Sequence, residues 1–114
     1  MNFDSDEVNE LKKCFADLSA CAEGGVGFLL IPSLSLPAGC DPAVVDALLC
    51  PSPRDGYSSR LFLSTKVAHH GHGQNWNAGG VMICGRRWWA VSWKAQESRK
   101  RLSAILAAHL EAFR

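Results

Sequence analysis

No apolar run in this chain approaches the roughly 18 residues of a membrane-spanning helix. The first twenty residues are studded with charge where a secretory leader would carry an apolar stretch, so neither export nor a membrane partner is expected. An excess of one charge is also missing: 12 Lys and Arg face 11 Asp and Glu, a formal net charge of +1. Nothing global therefore draws the chain to nucleic acid or an anionic surface. Its five cysteines, at 14, 21, 40, 50 and 84, contain no CxxC pair and leave an odd one over. That pattern argues against a disulfide framework and for reduced thiols in a cytoplasmic protein. GxSxG, P-loop, HExxH and GxGxxG motifs are all absent, which removes the marks of common hydrolase, nucleotide and dinucleotide chemistry. No internal repeat or low-complexity segment appears.

What is present describes one domain spanning residues 1–114, 47% hydrophobic and 20% charged. The stretch DSDEVNELKKCFADLSACAEGG carries Val8, Leu11, Phe15, Leu18 and Ala22 at helical spacing. Asp4 and Glu7 are placed for a cap and Gly24-Gly25 for a stop, so an amphipathic helix is expected there, with Cys14 and Cys21 in the core. VGFLLIPSLSLP reads as a strand that Pro32 and Pro37 shorten or confine to an edge. VVDALLC is a second strand, nearly continuous in apolar residues. LFLSTKV is a third, with Leu61, Leu63, Thr65 and Val67 on one face. The stretch from Ala68 to Gly80 has loop composition, and short extended pieces flank Gly85-Arg86. The end, SRKRLSAILAAHLEAFR, puts Leu102, Ile105, Leu106, His109, Leu110 and Phe113 on one helical stripe. The expected fold class is α+β: an N-terminal helix, an antiparallel β-meander, an irregular loop and a C-terminal helix.

Candidate chemistry is sparse. His69, His70 and His72 crowd within four positions, too close together for one tetrahedral ion, so no metal is expected. His109 sits on an apolar stripe, where a buried histidine with a hydrogen-bond partner is the usual outcome. Lys94, Arg99, Lys100 and Arg101 form a short basic cluster without the aromatic interleaving of a nucleic-acid surface. Four tryptophans fall within eighteen positions. Alternation makes Trp89 and Trp93 core candidates alongside Val91, leaving Trp76 and Trp88 as candidate anchors for a protein partner. Thiol chemistry remains. Cys84 follows a Gly- and Asn-rich loop and precedes Arg86-Arg87, whose charge would favour a thiolate; Cys50, before Pro51, is the second choice.

These segments resemble the ubiquitin-conjugating (UBC) superfamily from about Phe28 to the end of the chain. PRDGYSSRLFLSTKV is similar to that family's YP…PP…F stretch, with serines where its prolines stand, and NWNAGGVMIC is similar to its HPN…G-x-IC stretch, without the His-Pro. GYSSRLFLS and WWAVSWKA before the last helix look closest to compact bacterial members encoded with ubiquitin-like proteins in antiphage operons of the Bil type. The resemblance implies a UBC-like fold and transthiolation. Cys84 would take a ubiquitin-like protein from an activating (adenylating) enzyme as a thioester and pass it to an amine of a protein substrate. Asn77, with Asn75 in reserve, would stabilise the oxyanion, and no cofactor would be needed. The alternative is a UBC-like binding module that has lost catalysis, or a structural subunit of a complex.

Overall fold

The computed structural model describes residues 3–69, 71, 73–95 and 101–114. The elements run α1 (Ser5–Lys12), β1 (Ser19–Glu23), β2 (Val26–Ser35), β3 (Cys40–Asp41), β4 (Val44–Cys50), β5 (Arg60–Leu63), β6 (Ala68–His69), β7 (Trp76–Ile83), β8 (Arg86–Val91) and α2 (Leu102–Leu110), closed by a 3-10 turn over Glu111–Phe113. The class is α+β. A six-stranded antiparallel sheet in the order β1-β2-β4-β5-β8-β7 forms the body, and β3 pairs with β6 in a small second ribbon. No described helix is long and apolar enough to cross a membrane.

The first helix is much shorter than its periodicity suggests. Asp4 caps it, accepting from the backbone N–H groups of Asp6 and Glu7, and it ends at Lys12. Beyond a turn, Ser19–Glu23 form an edge strand instead of helix, paired with β2 from Ser19 opposite Leu30 to Glu23 opposite Val26. Gly24 and Gly25, both with positive φ (59° and 78°), make the two-residue connection. This is a hairpin signal, and it prevails over the helical reading because β2 supplies a partner for every residue of β1. Cys14 is consequently exposed and Cys21 half-buried, neither of them in the core.

Proline does not push β2 to an edge either. β2 lies between β1 and β4, and Pro32-Ser33 fall in a register shift between Ile31 and Leu34. There Ser33 takes a positive φ of 54°, and its N–H donates to the Asp46 carboxylate at 2.9 Å. A bulge accommodates a residue that cannot donate to the ladder. β5 stops at Leu63, which leaves Thr65 exposed while Val67 is buried. The end of the expected irregular loop, Trp76–Gly80, is instead strand, since β7 pairs with β8 from Trp76 opposite Val91.

Strand alternation sorts the sheet into two apolar faces. Leu29, Ile31, Leu49, Leu61 and Leu63 face a core completed by Leu11 of α1, by Leu102, Ile105 and Leu106 of α2, and by Phe113. Helix α1 also caps α2: the Glu7 carboxylate accepts from the Leu102 N–H at 2.9 Å, and Glu10 accepts from the Ser103 hydroxyl at 2.6 Å. That satisfies an N-terminal donor for which α2 has no side-chain cap of its own. The opposite face buries Phe28, Leu48, Cys50, Phe62, Ile83 and Trp88.

The second face is covered by the sheet itself. In a flat sheet, strands β1 and β7 would stand more than about 20 Å apart at the usual strand spacing. Yet the Cys84 N–H, at the tip of the β7–β8 hairpin, donates to Glu23 at the tip of the β1–β2 hairpin at 3.0 Å. The sheet therefore curls until the two tips meet, and the inward residues pack on one another. The guanidinium of Arg54 lies 5.8 Å from the Phe28 ring centre and 5.6 Å from that of Phe62, over this inner core.

Candidate functional site

Cys84 and Gly85 are the two central residues of the β7–β8 turn, with Ile83 opposite Arg86 and positive φ at both (51° and 80°). Such a primed turn matches the twist of its strands but asks the chain to enter the left-handed region twice, which suits Asn-Gly better than Cys-Gly. Cys84 occupies its strained position half-exposed. Its backbone N–H donates to the Glu23 carboxylate at 3.0 Å. The Cys21 thiol is pushed up to about 12, chiefly by burial and further by the neighbouring Cys84 thiol and the Glu23 carboxylate.

The arginines expected to favour a Cys84 thiolate are engaged elsewhere. Arg86 pairs with Asp46 at 3.0 Å and lies 4.8 Å from the Trp88 ring centre. Arg87 donates to the Gly80 carbonyl at 3.0 Å. Cys50, the second candidate, is 0% exposed, its thiol turned onto the Ser52 carbonyl at 3.4 Å.

Asn77 belongs to a different cluster. Its amide nitrogen donates to the Tyr57 hydroxyl at 2.8 Å, and its oxygen accepts from Arg60. Tyr57 is hydrogen-bonded to the Ser92 hydroxyl at 2.8 Å. Arg60, 3% exposed, also pairs with Asp55 at 2.8 Å and donates to the Val91 carbonyl at 3.0 Å, with its charge over the Tyr57 ring. Hydrogen bonds from Ser92 and then Asn77, with the charges of Arg60 and Lys94, hold the Tyr57 phenol below its ordinary range. Asn77 is the second residue of β7 and Cys84 follows its end, so at strand rise the two stand roughly 20 Å apart. The structure does not bring the expected nucleophile and oxyanion donor together. Asn75 lies two residues further along the chain from Cys84, its carbonyl accepting from the Ser92 N–H at 2.7 Å.

The expected partner anchors are packing residues. Trp88 is 1% exposed and donates its indole N–H to the Ile83 carbonyl at 3.0 Å. Trp88 and Ala90 alternate onto the inner side of β8, so they face the inner core instead of Trp89. Trp76 is half-buried with its ring centre 6.3 Å from that of Phe113. Trp93 donates to the Ala108 carbonyl of α2, as a core residue would. His109 is buried and bonded to the Ser59 hydroxyl at 2.7 Å. Beside Ser59, a cleft of about 330 Å³ is lined by Gly56, Tyr57, Ser58, Lys94 and Ala95.

His70, His72, Arg99 and Lys100 lie outside the described residues. Among the described residues no group of three His, Cys, Asp or Glu side chains could hold a metal ion. His69 accepts from the Gly71 N–H at 2.8 Å, and Arg101 pairs with Glu10 at 3.3 Å. Sequence reasoning passed over two features: the Asp55-Tyr57-Arg60-Asn77-Ser92 network and the Cys21–Cys84 pair. The period-two run Ser19, Cys21, Glu23 before Gly-Gly was the available signal for Cys21; the network joins four separate segments and leaves no pattern to read. No family model matches the chain, and neither a curated protein nor a solved structure is significantly similar to it.

Proposed function

We propose that this chain is a UBC-like binding module that holds a ubiquitin-like protein in a bacterial antiphage system, in the cytoplasm, without carrying it as a thioester. The element order of helix, antiparallel meander and C-terminal helix is what the resemblance leads one to expect of such a module. The observation that carries the non-catalytic reading is the separation of Asn77 from Cys84. Transthiolation needs a donor fixed about 3 Å from the developing oxyanion. Here the Asn77 amide is spent on Tyr57 and Arg60, at the opposite end of β7 from Cys84.

The conjugating-enzyme reading has one observation in its favour: Cys84 stands at a hairpin tip and is only partly buried. One experiment separates the two. The protein is incubated with ATP, a bacterial adenylating enzyme and the ubiquitin-like protein that enzyme activates, resolved on a non-reducing gel, and in parallel titrated calorimetrically with the ubiquitin-like protein alone. Saturable binding with no reductant-sensitive adduct is the expected result. An adduct that reductant removes and Cys84→Ser abolishes would overturn it in favour of transfer from the activating enzyme to a protein amine. Neither binding nor adduct would leave a structural subunit.

A further inference from the structure

Cys21 and Cys84 are separated by most of the sheet in sequence order and topology, yet the curl of the sheet brings the hairpins that carry them into contact. Three observations converge. Cys84 donates its backbone N–H to Glu23, so the β7–β8 turn rests on the end of β1. Cys21 lies two residues before Glu23 in the same strand and so projects to the same side of it. Both cysteines are half-buried against one apolar cluster, the inner core of the curled sheet. A cysteine at the first central position of a primed turn is also locally unfavourable, so the thiol is held there at a conformational cost.

We propose that Cys21 and Cys84 are a modification site that closes to a reversible disulfide, locking the tips of the β1–β2 and β7–β8 hairpins together. The inference goes beyond binding of a ubiquitin-like protein and does not depend on it. The oxidant is hydrogen peroxide. The half-exposed Cys84 sulfur attacks one peroxide oxygen; an S–O bond forms, the O–O bond breaks, and the departing hydroxide leaves as water with the thiol proton. Cys21, whose thiol keeps its proton at neutral pH, then acts as the resolving group. Its sulfur attacks that of Cys84, the S–S bond forms, the S–O bond breaks, and the second hydroxyl leaves as water with the Cys21 proton. Two thiols and one peroxide become one disulfide and two waters, the sulfurs losing the two electrons that the oxygens gain. A dithiol reverses the step by exchange.

The other cysteines are not arranged for this. Cys40 and Cys50 are buried, with their thiols on the Phe113 and Ser52 carbonyls, and Cys14 is exposed beyond α1. The closed bond would tie the two edges of the sheet and make the curl covalent.

The test uses the intact protein at high dilution, treated with one equivalent of hydrogen peroxide, quenched, and counted for thiols after denaturation. The expected result is a loss of two of the five free thiols, restored by dithiothreitol, with a proteolytic map that links Cys21 to Cys84. The oxidised protein should also unfold at higher urea than the reduced protein. Cys14→Ser should still lose two thiols, whereas Cys21→Ser should lose no pair to an internal bond. Retention of all five thiols, a map linking any other pair, or over-oxidation of Cys84 without a link to Cys21 would overturn the proposal. The map on the wild-type protein decides the matter even if a variant fails to fold. No ubiquitin-like protein is present, so failure here is distinct from failure of the binding reading.

Discussion

Replacing Trp88 with Phe tests whether this tryptophan belongs to the inner core or to a partner surface. The indole is 1% exposed among Phe28, Leu48, Phe62 and Ile83, and its N–H donates to the Ile83 carbonyl. Phe keeps one six-membered ring but removes that hydrogen bond, a net loss of about 1 kcal/mol. It also removes roughly three buried heavy atoms. Their lost transfer energy and the partly relaxed void they leave together cost about 1–3 kcal/mol. The sum is a destabilisation of about 2–4 kcal/mol, a large part of the total for a domain of this size, where ~5–15 kcal/mol is usual. A surface anchor would lose no more than about 0.5 kcal/mol on the same change. The measurement is urea unfolding followed by far-ultraviolet circular dichroism, because three other tryptophans confound fluorescence. With a slope of ~1–3 kcal/mol per molar urea, the midpoint should fall by about 1–2 M at unchanged slope. A midpoint within the error of the wild type would refute the packing role and return Trp88 to the surface.

Leu106→Ala opens a void between α2 and the sheet and should cost about 2–5 kcal/mol, read as a lowered denaturation midpoint; an unchanged midpoint would remove Leu106 from the core. Cys84→Asn, measured in reductant, should raise stability by up to about 1 kcal/mol, because Asn enters the left-handed region more readily; a lowered melting temperature would show that cysteine packing outweighs the strain. The Asp46 carboxyl is held below its ordinary range by the Ser33 N–H and then by Arg86. The folded protein thus takes up this proton less readily than the unfolded chain. Its contribution is complete above the unfolded value, near 3.9, and is lost as pH falls through the lower folded value. Asp46→Asn should therefore flatten the acid limb of the stability profile below about pH 4, and an identical limb in both proteins would remove Asp46 as its source.

The strands β2 and β4 and the helix α2 were legible in the sequence because their signals are local. Continuous apolar runs marked the strands, and a stripe from Leu102 to Phe113 marked the helix, whose residues do pack on the sheet. The α+β class follows from the same patterns. The segment from Cys14 to Glu23 was ambiguous, because Phe15, Leu18 and Ala22 satisfy a helical period while Ser19, Cys21 and Glu23 satisfy a strand period; only the presence of β2 alongside decides it. Which tryptophan turns inward was open because alternation along β8 permits either face, and only the sheet that β8 joins decides it.

The site was the least legible part. Residues in one short segment looked like one site, yet Asn77 and Cys84 lie at opposite ends of an extended strand, which separates them at about 3.3 Å per residue. Cys21 and Cys84, far apart in the chain, meet. Composition and periodicity determined that this chain would build an antiparallel sheet with helices on one face and which residues would fill that face. The tertiary structure decided that the sheet would curl. Among the described residues no helix covers its second apolar face, and burying that face against itself is what carried one hairpin tip onto the other.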